Sequence, residues 1–193
     1  MESKPQKNLK KDFFEWLDII ISSVLVVVLV FTFLFRIVSI DGDSMENTLI
    51  NNERVVISNL FYTPKNGDIV VISRNTDNTL SNAANKPPII KRVIAVEGQT
   101  VDIKDGYVYV DGVKLVEPYT KNYEFDPAST TDLYDVKFPL TVEKDCIFVL
   151  GDNRHESLDS RSSVIGQNGQ INKKYVLGKA LFRVFPFNKL GGI

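Results

Sequence analysis

At 193 residues, with a net charge of −1 and a pI of about 5.9, the chain suits one globular domain plus an appendage. That balance gives no overall basic field, so nucleic acid is not an expected partner. Cys146 is the only cysteine and His155 the only histidine, which excludes an intramolecular disulfide and a multi-cysteine or His-rich metal site, and no cofactor is implied.

The first element along the chain is IIISSVLVVVLVFTFLF, residues 19–35, uncharged throughout. Extended past Arg36 to Val38 it has 20 residues, about 30 Å as a helix and one hydrocarbon thickness of a bilayer. Arg36 can snorkel to the headgroups. A buried core helix is the alternative, but such helices rarely lack a polar face over several turns. A membrane span over 19–38 is therefore expected, and membrane lipid with it as a partner. No alanine occurs before Ala83, so no A-x-A cleavage site follows and the segment reads as an uncleaved anchor. Lys4, Lys7, Lys10 and Lys11 precede it, against Arg36 and Arg54 behind. The positive-inside rule then makes residues 1–18 a cytoplasmic tail and residues 39–193 extracytoplasmic.

Beyond the span the chain reads as strands. RVVIS and DIVVIS are β-branched runs separated by a turn-rich stretch with Pro64 and Gly67. IIKRVIAV follows, then TVDIKDGYVYVDGVKLV, in which Asp105-Gly106 and Asp111-Gly112 punctuate a tight meander. CIFVL and YVLGKALFRVF supply late strands, and Cys146 reads as a small hydrophobe in the first of them. No long amphipathic helix pattern is visible outside the span. The expected fold class is mostly β, with a smaller β-rich excursion over about 99–145 from a main folded sheet. The polar stretch 73–88, ending in a diproline, and the stretch 117–145 read as less regular.

Three clusters carry candidate chemistry. Ser44, in GDSME, lacks the second glycine of a nucleophile elbow, so a base for it must lie elsewhere. Histidine activates serine most often, but a neutral lysine serves as well. Neutrality near pH 7 to 8 asks for a depression of about 3 pKa units, roughly 4 kcal/mol, which burial among apolar groups supplies. Lys91 sits inside such a strand, in PPIIKRVIAVEG. Strand alternation puts Lys91 with Ile89, Val93 and Ala95, and Arg92 on the other face with Ile90, Ile94 and Val96. The competing readings are a snorkelling lysine at a sheet edge and a solvated loop serine. The third cluster, GDNRHESLDSR at residues 151–161, reads as a loop locked by charge-assisted hydrogen bonds or as a solvated turn. It contains His155, so a Ser44–His155–Asp152 triad stays open at this point.

An anchor, then SM, GDIVV, KRVIA and GDNRxxSxDSR, in that order: this succession resembles bacterial type I signal peptidases. The resemblance implies a membrane-bound serine protease that clips signal peptides from exported preproteins; a monomer is expected, though the sequence does not fix the oligomeric state. It makes Ser44 the nucleophile and Lys91 the general base, with Ser157 hydrogen-bonded to the Lys91 amine. Asp159 and Arg161 would form an ion pair, and Asp152 and Arg154 would complete the scaffold of the loop. His155 falls at a variable position. The substrate would add as a strand, with small residues at the first and third positions before the cut. Val38, Ile40, Ile89 and Ile90 would line those pockets. Two departures stand out. Asn47 replaces the proline of S-M-x-P-T, and Gly42 stands where some relatives carry a hydroxyl that donates to the oxyanion, leaving the Ser44 N–H as main donor.

At most about 20 Å of chain joins Val38 to Ser44, so the anchor would hold the site near the membrane, where a signal peptide is cleaved. A self-cleaving repressor shares the Ser/Lys logic, but carries a DNA-binding motif where this chain has its apolar segment. A catalytically inert β-domain used for binding or scaffolding is the alternative of another class.

Overall fold

The computed structural model describes residues 9–74, 87–120 and 134–193. Most of the polar stretch 73–88 and nearly half of 117–145 lie outside the described residues. The chain divides into two compact units at Arg36/Ile37.

The first unit is helix α1, Leu9–Leu34, 26 residues. It starts ahead of the apolar run because its first turns carry good helix formers and an i,i+4 pair, Lys11 Nζ to Glu15 Oε1 at 3.8 Å. It ends at Leu34 instead of running to Val38: Arg36–Ser39 leaves as strand β1, as suits β-branched Ile37 and Val38. Within it Lys11–Thr32, 22 residues with a mean hydropathy of 2.3, is long and apolar enough to cross a membrane and none of it is buried in protein. Two of its hydroxyls bond back to the helix itself. Ser23 Oγ donates to Ile20 O at 2.8 Å and Thr32 Oγ1 to Val28 O at 2.7 Å, which satisfies hydroxyls that a bilayer could not.

The second unit is mostly β. Its strands are β2 Arg54–Ser58, β3 Ile69–Ile72, β4 Ile89–Val96, β5 Thr100–Lys104, β6 Tyr107–Val110, β7 Val113–Lys114, β8 Leu140–Thr141, β9 Cys146–Leu150, β10 Ile171–Asn172, β11 Val176–Phe185 and β12 Gly191–Gly192. An eight-stranded sheet runs β1-β2-β11-β3-β4-β9-β10, with β12 on β11; a four-stranded sheet runs β7-β6-β5-β8. Both predicted Asp-Gly turns of the meander take left-handed backbone at both residues, with φ of 50° and 78° at Asp105-Gly106 and 51° and 78° at Asp111-Gly112. That twist matches the flanking strands and forces β5, β6 and β7 to pair in succession.

Register puts the interior lysine at the centre of the larger sheet. Lys91 in β4 faces Val70 of β3, and Arg92 faces Ile69 on that side and Leu150 of β9 on the other. Three apolar clusters fill the unit. One gathers Ile40, Met45, Leu49, Val55, Ile57, Val71 and Ile90 beneath the segment that carries Ser44. A second holds Val70, Val93, Val149 and Ile171. The third, including Val101, Val108, Phe148 and Leu150, joins the two sheets, and half-buried Cys146 packs against it. A bulge between Val93 and Ala95 breaks the simple alternation of β4, so Ala95 leaves the face of Val93 and joins Ile94 in that third cluster, while Val96 packs with Val93 in the second instead of with Ile90 or Ile94.

Candidate active site

Ser44 lies on a tight turn between β1 and β2. The turn is closed by Glu46 N–H to Asp43 O at 3.1 Å and by Thr48 and Leu49 N–H to Met45 O at 2.9 and 2.8 Å. Met45 and Leu49, 1% and 0% exposed, nail it into the first cluster. Burying two such side chains contributes roughly 3–6 kcal/mol toward one loop conformation, far more than one surface hydrogen bond would. Ser44 itself is left half-buried.

The partner of its hydroxyl is Lys91, whose Nζ donates to Ser44 Oγ at 2.7 Å. Lys91 is 3% exposed, so it does not snorkel. Burial of the ammonium lowers its pKa from 10.5 to about 8; the Asp159 carboxylate pulls the other way, while Arg161 and Arg74 push with the burial. A lysine so placed spends an appreciable fraction of time neutral near neutral pH, and its lone pair then faces the serine hydroxyl.

The loop 151–161 packs against this pair. Asn153 N–H donates to Ser44 O at 3.1 Å and Asn153 Nδ2 to Asp43 O at 3.2 Å, tying the loop to the serine's own backbone. Gly151 is wedged beneath: a Cβ built there would come within 2.5 Å of both Ser157 Cβ and Ser44 O. Arg161 clasps Asp159 through Nε at 2.8 Å and Nη2 at 2.9 Å, and both side chains are almost fully buried. Burial alone would raise the Asp159 pKa, but the Arg161 guanidinium and the Gly151 N–H outweigh it and hold the carboxyl below its usual range. Arg161 also donates to the carbonyls of Arg154 and Ser157 at 2.6 and 3.2 Å, and its guanidinium lies 4.2 Å over the Tyr134 ring. Ser157 departs from expectation. Its hydroxyl is buried beside Asp159 and makes no hydrogen bond to Lys91.

Asp152 and Arg154 belong to separate ion pairs whose partners the sequence reading did not name. Arg92, the neighbour of Lys91, grips Asp152 through Nε at 2.8 Å and Nη2 at 2.6 Å. Thr48 Oγ1 donates to the same carboxylate at 2.5 Å, and Arg92 Nη1 reaches Gly67 O at 2.9 Å. Arg154 donates through Nη1 to Glu117 Oε2 at 3.0 Å and through Nη2 to Glu117 Oε1 at 2.5 Å. Below the turn, buried Glu53 accepts from Ile50 N–H at 3.1 Å and pairs with Arg183, which itself donates to Thr48 O at 2.6 Å. Strand alternation predicted that Arg92 faces away from Lys91; no local signal marked Glu53, Glu117 or Arg183, whose partners are set by tertiary folding.

Residues 13–185 match the family described as signal peptidase, peptidase S26. Signal peptidase I of Bacillus licheniformis is 36% identical over 194 aligned residues, covering 98% of this chain and 98% of its own. Signal peptidase I T of Bacillus subtilis is 34% identical, covering 97% and 93%. The chain belongs to the signal peptidase family. A crystal structure of a signal peptidase I from Enterococcus faecalis superposes with a TM-score of 0.45 at 28% identity, over 61% of this chain and 97% of that one. Family membership makes this chain a peptidase.

The remaining expectations sort differently within this signal peptidase fold. His155 is exposed on a short 3-10 turn, Arg154–Glu156, and no hydrogen bond joins it to Ser44 or Asp152, whose carboxylate is occupied by Arg92 and Thr48. Val38, Ile40 and Ile90 pack in one cluster with Met45, whereas Ile89 packs in the second cluster, on the other face of β4. Asn47 is exposed, and the turn's rigidity comes from Met45, Leu49, Thr48 and Arg183 rather than from a proline. Gly42 has a φ of +92° and open space around it, so the position is reserved for glycine by backbone conformation, not by crowding. Its N–H donates to Asn51 Oδ1 at 3.2 Å. Among the described residues no cluster of His, Cys, Asp or Glu is suited to a metal ion.

Proposed function

We propose that the protein is a membrane-anchored serine endopeptidase that removes signal peptides from exported preproteins, with Ser44 as nucleophile and Lys91 as general base. The observation that carries this reading is the 2.7 Å hydrogen bond between Lys91 Nζ and Ser44 Oγ at a lysine that is 3% exposed. Neutral Lys91 takes the Ser44 proton as Oγ adds to the scissile carbonyl carbon. The Ser44 N–H, which has no hydrogen-bond acceptor among the described residues, is placed to donate to the developing oxyanion. The ammonium so formed returns its proton to the leaving amine, and the acyl-enzyme ester is hydrolysed by water with Lys91 again as base. Asp159, Arg161, Asp152 and Arg154 hold the loop that fixes the Ser44 carbonyl. Ser157, within that loop, packs beside Asp159.

The unburied apolar span of α1 supports membrane anchoring. The substrate is an extended segment with small side chains at the first and third positions before the cut, held over Val38, Ile40 and Ile90. The test is cleavage of a secretory preprotein in detergent. Wild type should release the mature chain, while Ser44→Ala and Lys91→Ala, folded as judged by circular dichroism, should not. Cleavage retained by Lys91→Ala and lost in His155→Ala would replace the lysine by a histidine triad.

A further inference from the structure

The second sheet reaches the site through one short turn. Leu115 N–H donates to Val108 O at 2.9 Å, the last tie to that sheet, and the chain then folds over Glu117–Thr120. Thr120 closes this turn, its N–H and Oγ1 both reaching Glu117 O, at 3.1 and 2.9 Å. Pro118 takes the position where its fixed φ suits such a turn. Two side chains of the turn grip the two arginines that brace the catalytic loop. Glu117 receives both ends of the Arg154 guanidinium, and the two side chains are only 10% and 5% exposed. Tyr119 lies with its ring 3.9 Å below the Arg92 guanidinium, and its hydroxyl donates to Glu117 Oε1 at 2.9 Å.

Arg92 holds Asp152, and Arg154 is held by Glu117, so the turn secures both flanks of Asn153. Asn153 is the residue whose N–H fixes the Ser44 carbonyl and whose amide fixes Asp43 O. We infer that Glu117 and Tyr119 are positioning residues of the reaction, and that the second sheet serves to set the Ser44 backbone through Arg92, Arg154 and Asn153. The inference rests on the reading of Ser44 as nucleophile.

Neither side chain is among the charged groups that act on Lys91, which are Asp159, Arg161, Arg74 and Asp152. Glu117 acts through Arg154, which is not one of those groups, so loosening it displaces the nucleophile without retuning the base, whereas Tyr119 also reaches Asp152 through Arg92. A displacement of about 1 Å at a reacting group typically costs on the order of a hundredfold in rate. The experiment uses the full chain in detergent with a secretory preprotein, comparing wild type, Glu117→Gln, Tyr119→Phe, Tyr119→Leu, Ser44→Ala and, as a surface control, Glu97→Gln. Glu117→Gln keeps the shape but not the charge, and kcat should fall about 10- to 100-fold with KM within about twofold. The midpoint of its pH profile should stay near about 8, the value for Lys91. Tyr119→Phe should lose less than Tyr119→Leu, which also removes the ring beneath Arg92. Should Glu117→Gln fold poorly, the two tyrosine variants carry the same test. Wild-type kcat in the folded Glu117 and Tyr119 variants, with any loss confined to melting temperature, overturns the inference while Ser44→Ala remains inactive. Cleavage by Ser44→Ala would overturn both the inference and the reading beneath it.

Discussion

As the proposed general base, Lys91 sets function against stability. The folded chain holds its amine at a pKa of about 8 against 10.5 in the open, a difference worth about 3 kcal/mol. Between those two values the unfolded chain binds a proton that the folded one does not, so stability rises with pH across that window. Below about 8 both states are protonated and the full cost of the buried ammonium persists. Lys91→Met, which fills similar space without charge, should therefore be inactive yet more stable at about pH 6, by up to about 3 kcal/mol, with the gain vanishing above about pH 10. Urea denaturation at the two pH values measures it; a variant no more stable than wild type at the lower pH sinks the idea. Gly151 makes the opposite case. Its φ is not in the left-handed region, and only crowding by Ser157 and the Ser44 carbonyl reserves it for glycine. Gly151→Ala should cost about 1–3 kcal/mol by overpacking and at least about tenfold in cleavage rate, because the atoms displaced are those of the site. A variant that melts lower but cleaves at the wild-type rate would show that the loop absorbs the methyl elsewhere.

At the scale of elements, patterns of period two were easiest to read. The run IIKRVIAV is β4 from its first residue to its last, and both Asp-Gly turns lie where the sequence puts them. Local chemistry decides such features. Strand order is another matter: β11, the last long strand, inserts between β2 and β3, which are consecutive in sequence. Nothing within any of the three segments encodes that choice, which depends on which faces bury together. The same limit applies to Glu117, whose partner Arg154 lies 37 residues away. The end of α1 was misread because Ile37 and Val38 are as apolar as the helix before them, and only pairing of β1 with β2 distinguishes them. Alternation along β4 also separates Ile89 from Ile90, although the family resemblance groups them. Ile90→Ala and Ile40→Ala remove branched side chains from the cluster under Ser44, while Ile89→Ala acts on the second cluster. With preproteins carrying Ala, Val or Leu at the first and third positions before the cut, wild type should favour alanine by about ten- to two-hundred-fold. Ile90→Ala and Ile40→Ala should narrow that gap at one position, and Ile89→Ala should leave it unchanged. A gap narrowed equally by all three would remove the distinction between the faces.

For the whole molecule, the site is assembled from segments far apart in sequence. Thr48 and Asp152 are 104 residues apart, Ser44 and Lys91 are 47 apart, and Arg183 reaches Thr48 across 135. Such a site exists only when the larger sheet is complete, so partial unfolding should abolish cleavage before all β structure is lost. In the proposed function the apolar span has a separate task. Lys11–Thr32 contributes nothing buried to the folded core, and its length matches a bilayer instead. An enzyme fixed to the membrane meets membrane-inserted signal peptides at high effective concentration without any further contact. That advantage exists only if the β unit lies on the side where preproteins emerge. The lysines Lys4, Lys7, Lys10 and Lys11 favour a cytoplasmic N-terminus over Arg36 and Arg54, the cations close behind the span. Protease added to intact spheroplasts should then digest residues 37–193 and spare an epitope placed before Lys4. Opening the cells with detergent should expose both. A β unit protected in intact spheroplasts, with the N-terminal epitope digested, would reverse the orientation and leave the proposed enzyme on the wrong side of its substrate.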